Sequence, residues 1–139
     1  MILARSKAMR SATITGAVLL VFVATAQVIA QQQGVSLPAP FHETDISVPA
    51  HEAVTGIVDF ASGATTGRHL HGGDMVGYLV SGSLVLEQDG VAPRVLYAGD
   101  TFIIPARVIH THTNRGESAA RMFVTYIIDK SNAVTTPIR

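Results

Sequence analysis

The chain has 139 residues, enough for one domain and not comfortably for two. Ten basic and ten acidic residues cancel, cysteine is absent, and no basic stripe remains to meet nucleic acid. The fold therefore uses no disulfide, and any soft metal ligand has to be a methionine.

In chain order, the first element is a leader. Arg5, Lys7 and Arg10 precede an uncharged stretch from Ser11 to Ala30, whose apolar core runs from about Ile14 to Ala26. A basic start, a short apolar core and a small-x-small ending at Val28-Ile29-Ala30 predict a secretory signal over 1–30, with Gln31 as the new N-terminus. Ala24-Thr25-Ala26 offers a second cleavage site. The rival is an uncleaved anchor, but the core is shorter than the ~18–20 residues a bilayer needs, and Thr13, Thr15, Gly16 and Thr25 dilute it. Removing 1–30 takes away three basic residues and leaves seven against ten acidic ones, a mildly acidic domain. No twin-arginine export signature is present. The expectation is general secretion to the periplasm or beyond, no membrane association after cleavage, and metal acquired after export.

Residues 31–40 (QQQGVSLPAP) are polar, with a glycine and two prolines, and predict a flexible lead-in. Residues 41–139 are expected to form the single domain. No window keeps an apolar period of 3.6 between sound caps. Short β-rich runs alternate with turn residues instead: Gly56–Phe60, Gly77–Val80, Ser83–Gln88, Arg94–Tyr97, Thr101–Ile104, Val108–Thr113 and Ala120–Ile128. Asp89-Gly90 predicts a two-residue hairpin joining Ser83–Gln88 to Arg94–Tyr97. About eight short strands at this spacing predict an all-β sandwich or closed barrel. Met122 and Phe123 both read as core of the last strand; His42 and His51 read as surface.

Four of the six histidines form two pairs, His69/His71 and His110/His112. A spacing of two on a strand puts both side chains on one face. A third imidazole from a facing strand can then close a cluster suited to Fe, Ni, Cu or Zn. The glycines around these pairs sit at strand ends, where a turn needs positive φ or room for a second backbone.

The spacings resemble the cupin superfamily, specifically its small single-domain members. Gly63, five residues, His69-x-His71 and then Gly82 match its first motif; Gly99, five residues, Pro105, then His110, three residues and Asn114 match its second. The resemblance runs from about Val54 to Ile128. It implies a jelly-roll β-barrel holding one divalent transition-metal ion (Fe, Mn, Ni, Zn or Cu) between His69, His71 and His110. The family's usual fourth ligand is a Glu four residues after the second His; that position is Met75, preceded by Asp74. Arg107 stands where the second motif usually has Gly.

Three readings of Met75 stay open: an apolar plug, a thioether ligand in a His₃Met set favouring copper, or a bystander to an inward-turned Asp74. Gly72-Gly73 would loosen the loop before Asp74. His112 is expected to face inward and meet a local hydrogen-bond partner, with a supporting or acid–base role near the metal as the sharper alternative. The functional expectation is an Fe- or Mn-type oxygenase, or a related enzyme acting on a small organic molecule. The alternatives are a non-catalytic small-ligand binder and a copper-holding protein. The expected partner is a small-molecule ligand or substrate, with a homodimer as an option.

Overall fold

The computed structural model describes residues 34–139; the predicted signal segment and the first three residues of the lead-in lie outside them. Within this range the chain forms eleven strands and no helix. In order these are β1 (Val35–Ser36), β2 (His42–Asp45), β3 (His51–Phe60), β4 (His69–His71), β5 (Asp74–Ser81), β6 (Ser83–Gln88), β7 (Arg94–Tyr97), β8 (Thr101–Ile104), β9 (His110–Thr113), β10 (Ala120–Asp129) and β11 (Thr135–Pro137).

The strands pair antiparallel into two sheets. One has the order β1-β3-β10-β5-β8, with β2 also on β3; the other has the order β11-β4-β9-β6-β7. Their inner faces pack as a jelly roll. Phe60, Met75, Leu79, Ile104, Met122, Val124 and Ile128 bury from the first sheet, and Leu84, Leu86 and Leu96 from the second. Burial of these side chains drives the fold, each contributing about 1.5–3 kcal/mol.

Strict alternation along β10 explains one departure from expectation. Met122, Val124, Tyr126 and Ile128 point inward, so Phe123 must point out, and it is 41% exposed. Across the sheet it stands opposite Tyr78 of β5, which also carries Val76, itself paired with Ile103 of β8, on an apolar outer face.

The lead-in is not wholly without structure. Val35 and Ser36 pair with Phe60 and Asp59, and Val35 packs against the core. Asp89-Gly90 do form a tight turn, closed by the Val91 N–H donating to the Gln88 carbonyl at 3.2 Å. The hairpin is longer than two residues, however: Ala92-Pro93 prolong it, and the first pair is Leu86 with Arg94. Glu87 and Gln88 are left to pair with β9.

Gly72 and Gly73 do not loosen the chain. A side chain on Gly73 would collide with the Ile127 carbonyl, and one on Gly72 would lie 2.6 Å from the Ala133 carbonyl. These glycines let β4 and β5 press against β10 and β11.

Arg107 adopts φ +66°, the left-handed region that glycine occupies without penalty, and its N–H donates to the His71 carbonyl at 2.9 Å. Arg107→Gly is therefore expected to stabilise the protein by about 0.5–1 kcal/mol, the strain relief exceeding the added chain entropy. A thermal midpoint raised by a few degrees is the expected result; an unchanged or lower one would show that the arginine side chain offsets its own strain.

Candidate metal centre

All four motif histidines face inward from the second sheet. His69 and His71 lie on β4, His110 and His112 on β9, and His69 pairs directly with His110 across the two strands. The three rings of His69, His71 and His110 crowd together, with centroids 4.8, 4.3 and 4.9 Å apart. One ligand atom from each lies within 4.8 Å of the others.

Each of these three rings is held by the same device. His69 Nδ1 donates to the Gly67 carbonyl at 3.0 Å, His110 Nδ1 to the Val108 carbonyl at 2.9 Å, and His71 Nδ1 to the Val134 carbonyl at 2.8 Å. The Thr135 hydroxyl adds a second contact to His71 Nδ1 at 3.2 Å. A carbonyl accepts only from a protonated nitrogen, so these bonds fix the proton on Nδ1 and leave the Nε2 lone pair free. Nε2 of both His71 and His110 is buried with no hydrogen-bond partner among the described residues. Buried nitrogens are rarely left unsatisfied, and a divalent ion supplies what they lack. The residues therefore fit a metal ion, which His69, His71 and His110 would hold through their Nε2 atoms.

The electrostatics agree. Burial pushes the His71 imidazole down to about 3, helped by neighbouring His69 and opposed by the Val134 carbonyl. Burial likewise lowers His110 to about 4 against the Val108 carbonyl, and lowers His69 against the Gly67 carbonyl. At neutral pH the set is neutral imidazole, the form that binds metals.

Met75 is buried on β5, opposite Ile104 and Tyr126, and lines the same cavity as His69 and His71. Asp74 faces outward and is exposed, and its Oδ1 accepts the Ala106 N–H at 2.9 Å. The inward-turned Asp74 is thereby ruled out; its carboxylate belongs to the outer loop.

His112 faces inward as expected but lacks the expected local partner. It is fully buried between Phe60 and Phe102, edge-on to His110 at 5.5 Å, and its Nε2 has no hydrogen-bond partner among the described residues. Burial first, then the three neighbouring imidazoles, holds it well below its ordinary value. Asn114, seen in the sequence only as the end of a motif, is a clasp. Its amide donates to the carbonyls of Phe60, Ala61 and Ser118, and its Oδ1 accepts from Gly116, tying β9 to β3. His42 is exposed and His51 half-buried, both away from the cluster, as expected of surface residues.

Tyr126 was not singled out by sequence. Its ring lies 4.5 Å from that of His71 and 6.0 Å from Phe41, its hydroxyl makes no hydrogen bond among the described residues, and burial holds the phenol well above its usual value. The available signal was a polar-tipped residue at an inward position of an alternating strand.

The cupin domain family matches residues 56–126, just over half of the chain. The chain belongs to the cupin family. Among curated proteins, this cupin is 35% identical over 89 residues to oxalate oxidase 1 of Hordeum vulgare, covering 58% of this chain and 44% of that one. It is 32% identical over 89 residues to germin-like protein 3-5 of Oryza sativa subsp. japonica, covering 58% and 39%. The cupin thus spans less than half the length of these relatives. Among solved structures, oxalate oxidase in complex with the substrate analogue glycolate aligns with a TM-score of 0.60 at 24% identity, over 76% of this chain and 55% of that one. At that identity the likeness establishes the shared jelly roll.

Proposed function

We propose that this cupin is an exported protein that holds one divalent transition-metal ion (Fe, Mn, Ni, Zn or Cu) through His69, His71 and His110. On this reading it presents the ion to a small organic molecule, as an Fe- or Mn-dependent oxygenase or a related enzyme. The observation that carries the reading is the convergence of three imidazoles whose protons are tied to backbone carbonyls, with the buried Nε2 atoms of His71 and His110 left without partners among the described residues. Likeness to oxalate oxidases supports a small-molecule substrate. When bound, such an ion supplies Lewis acidity and, for a redox-active metal, a place for dioxygen chemistry.

The chain's own residues set the conditions. Three neutral ligands leave the ion's charge uncompensated, so an anionic or oxygen-bearing ligand is drawn to it. The cavity beside the histidines, about 180 Å³ and lined largely by apolar side chains, keeps water sparse. His112 packs edge-on against His110 and holds its ring; it is assigned as a positioning residue.

A second reading, a copper-holding protein, is favoured by the presence of the Met75 side chain in the same cavity wall as His69 and His71. Metal analysis of protein purified from its native export compartment, beside two variants, separates them. Met75→Leu nearly conserves volume and should leave metal identity and affinity unchanged. Met75→Glu should tighten Mn(II) or Fe(II) binding by about tenfold or more, because it sets a carboxylate beside the cation. A large copper loss in Met75→Leu would sink the plug and promote the copper-holding reading.

Export itself rests on the basic start and short apolar core of residues 1–30. The secreted protein should have an intact mass beginning at or near Gln31; membrane-bound protein retaining residues 1–30 would replace the signal with an anchor.

A further inference from the structure

The cavity beside the histidines is walled mainly by apolar side chains. These are Val58 and Phe60 from β3, Met75 from β5, and Met122 and Tyr126 from β10, with Val35, Leu37 and Phe41 added from the N-terminal segment. Phe41 rests on Gly56, where any side chain would collide with its ring. Among the described residues, no Asp, Glu, Lys or Arg lines the space.

Two of the polar groups are already engaged. The Thr66 hydroxyl donates to the Gly67 carbonyl and accepts the His112 backbone N–H, and the Thr135 hydroxyl is bonded to His71. What remains for a ligand is the histidine end, with the Nε2 atoms of His71 and His112, and the Tyr126 hydroxyl.

We infer that this site takes a compact molecule with an apolar body and a single oxygen-bearing head, of the class of single-ring or short-chain monocarboxylates, and discriminates against dicarboxylates. The head belongs at the histidine end, beside the Tyr126 hydroxyl and the His112 imidazole, and the body against Val58, Phe60, Met122 and Phe41. A second carboxylate at the body end would be buried against those hydrocarbon side chains with no cation among the described lining residues to meet it, and such burial is costly. The size agrees, since an apolar cavity of about 150 Å³ takes up benzene. The position of the head rests on the metal-centre reading above; the apolar body does not.

The protein carries its own reporters. Of the four methionines, Met1 and Met9 fall in the predicted signal, and the other two, Met75 and Met122, both line this cavity. The experiment uses methyl-labelled methionine in the metal-free exported protein and calorimetric titration of the protein loaded with Mn(II), whose paramagnetism would broaden nearby methyl signals, with retained metal measured on each sample. Toluene should shift both methyl signals in the metal-free protein. In the Mn(II) form, benzoate should bind at least tenfold more tightly than acetate, reflecting burial of the ring. Benzoate should also bind more tightly than oxalate, the reverse of the order shown by a divalent ion free in water. Phe41→Ala should weaken toluene and benzoate about fivefold and leave acetate unchanged.

Oxalate binding more tightly than benzoate, benzoate no tighter than acetate, or silent methyl signals with toluene would each overturn the inference. Toluene binding by a protein that retains no Mn(II) would refute the metal centre while upholding the apolar body.

Discussion

His69→Ala, His71→Ala and His110→Ala should each reduce metal content from about one ion per chain to near zero. Every one of these rings is oriented by its own carbonyl, Gly67, Val134 or Val108, so none can be replaced by a neighbour swinging in. Two imidazoles seldom hold a divalent ion against buffer, and a loss of at least a hundredfold in affinity is expected for each variant. His112→Ala should leave stoichiometry near one, because its ring packs behind His110 and lies outside the convergent trio. Metal analysis after gel filtration, with circular dichroism to confirm that each variant is folded, is the measurement. If His112 proved required and His110 dispensable, the centre would have to be rebuilt around the other end of the β9 pair.

Acid should unfold the metal-free protein well above the pH at which ordinary carboxylates protonate. In the unfolded chain the histidines take up protons near 6.5, whereas in the fold His110 does so only at about 4 and His71 at about 3. Between 6.5 and those values the unfolded state binds more protons, so stability falls as pH falls; below about 3 these two groups contribute no further change. Each such imidazole adds up to about 1.4 kcal/mol per pH unit inside its window, and His69 and His112 shift in the same direction. Urea unfolding at pH 7, 6, 5 and 4 should show midpoints dropping steeply across the series. Bound metal should raise the curve at pH 7 and be lost within the same window, because protons compete for the same nitrogens. A flat series from pH 7 to 4 would mean that the folded protein accommodates protonated imidazoles, against the burial described.

The strand spine of this fold was legible because side-chain burial wrote it. Ser83–Gln88, Arg94–Tyr97 and Thr101–Ile104 have the expected limits, and β10 extends only one residue past the expected end. The two histidine pairs were legible for the same reason, since a spacing of two admits only one facing. What failed was whatever depends on backbone pairing. β2 is His-Glu-Thr-Asp, exposed at every residue, and is a strand only because β3 offers it hydrogen bonds. β1 hides in a proline-flanked stretch that reads as linker. Phe123 was misjudged through its hydrophobicity, although a strand cannot bury two successive side chains on one face. Tyr126 escaped notice because its importance comes from standing opposite Met75 across the sheet and beside His71 across the barrel, a meeting between residues far apart in sequence.

The hydrogen bonds to His71 also impose an order of events. The Val134 carbonyl and Thr135 hydroxyl lie 63 and 64 residues beyond the imidazole they orient, after every other residue of the centre. During synthesis, His69, His71 and His110 all emerge before the residues that clamp His71. Contacts this distant in sequence close slowly, after the local hairpins. The nascent chain is thus a poor competitor for metal, and a strong one appears only when β11 has docked on β4. A chain interrupted before residue 134 would leave the barrel's hairpins in place and yet lack the finished coordination edge. On this order of events, maturation of the centre awaits the docking of β11 on β4.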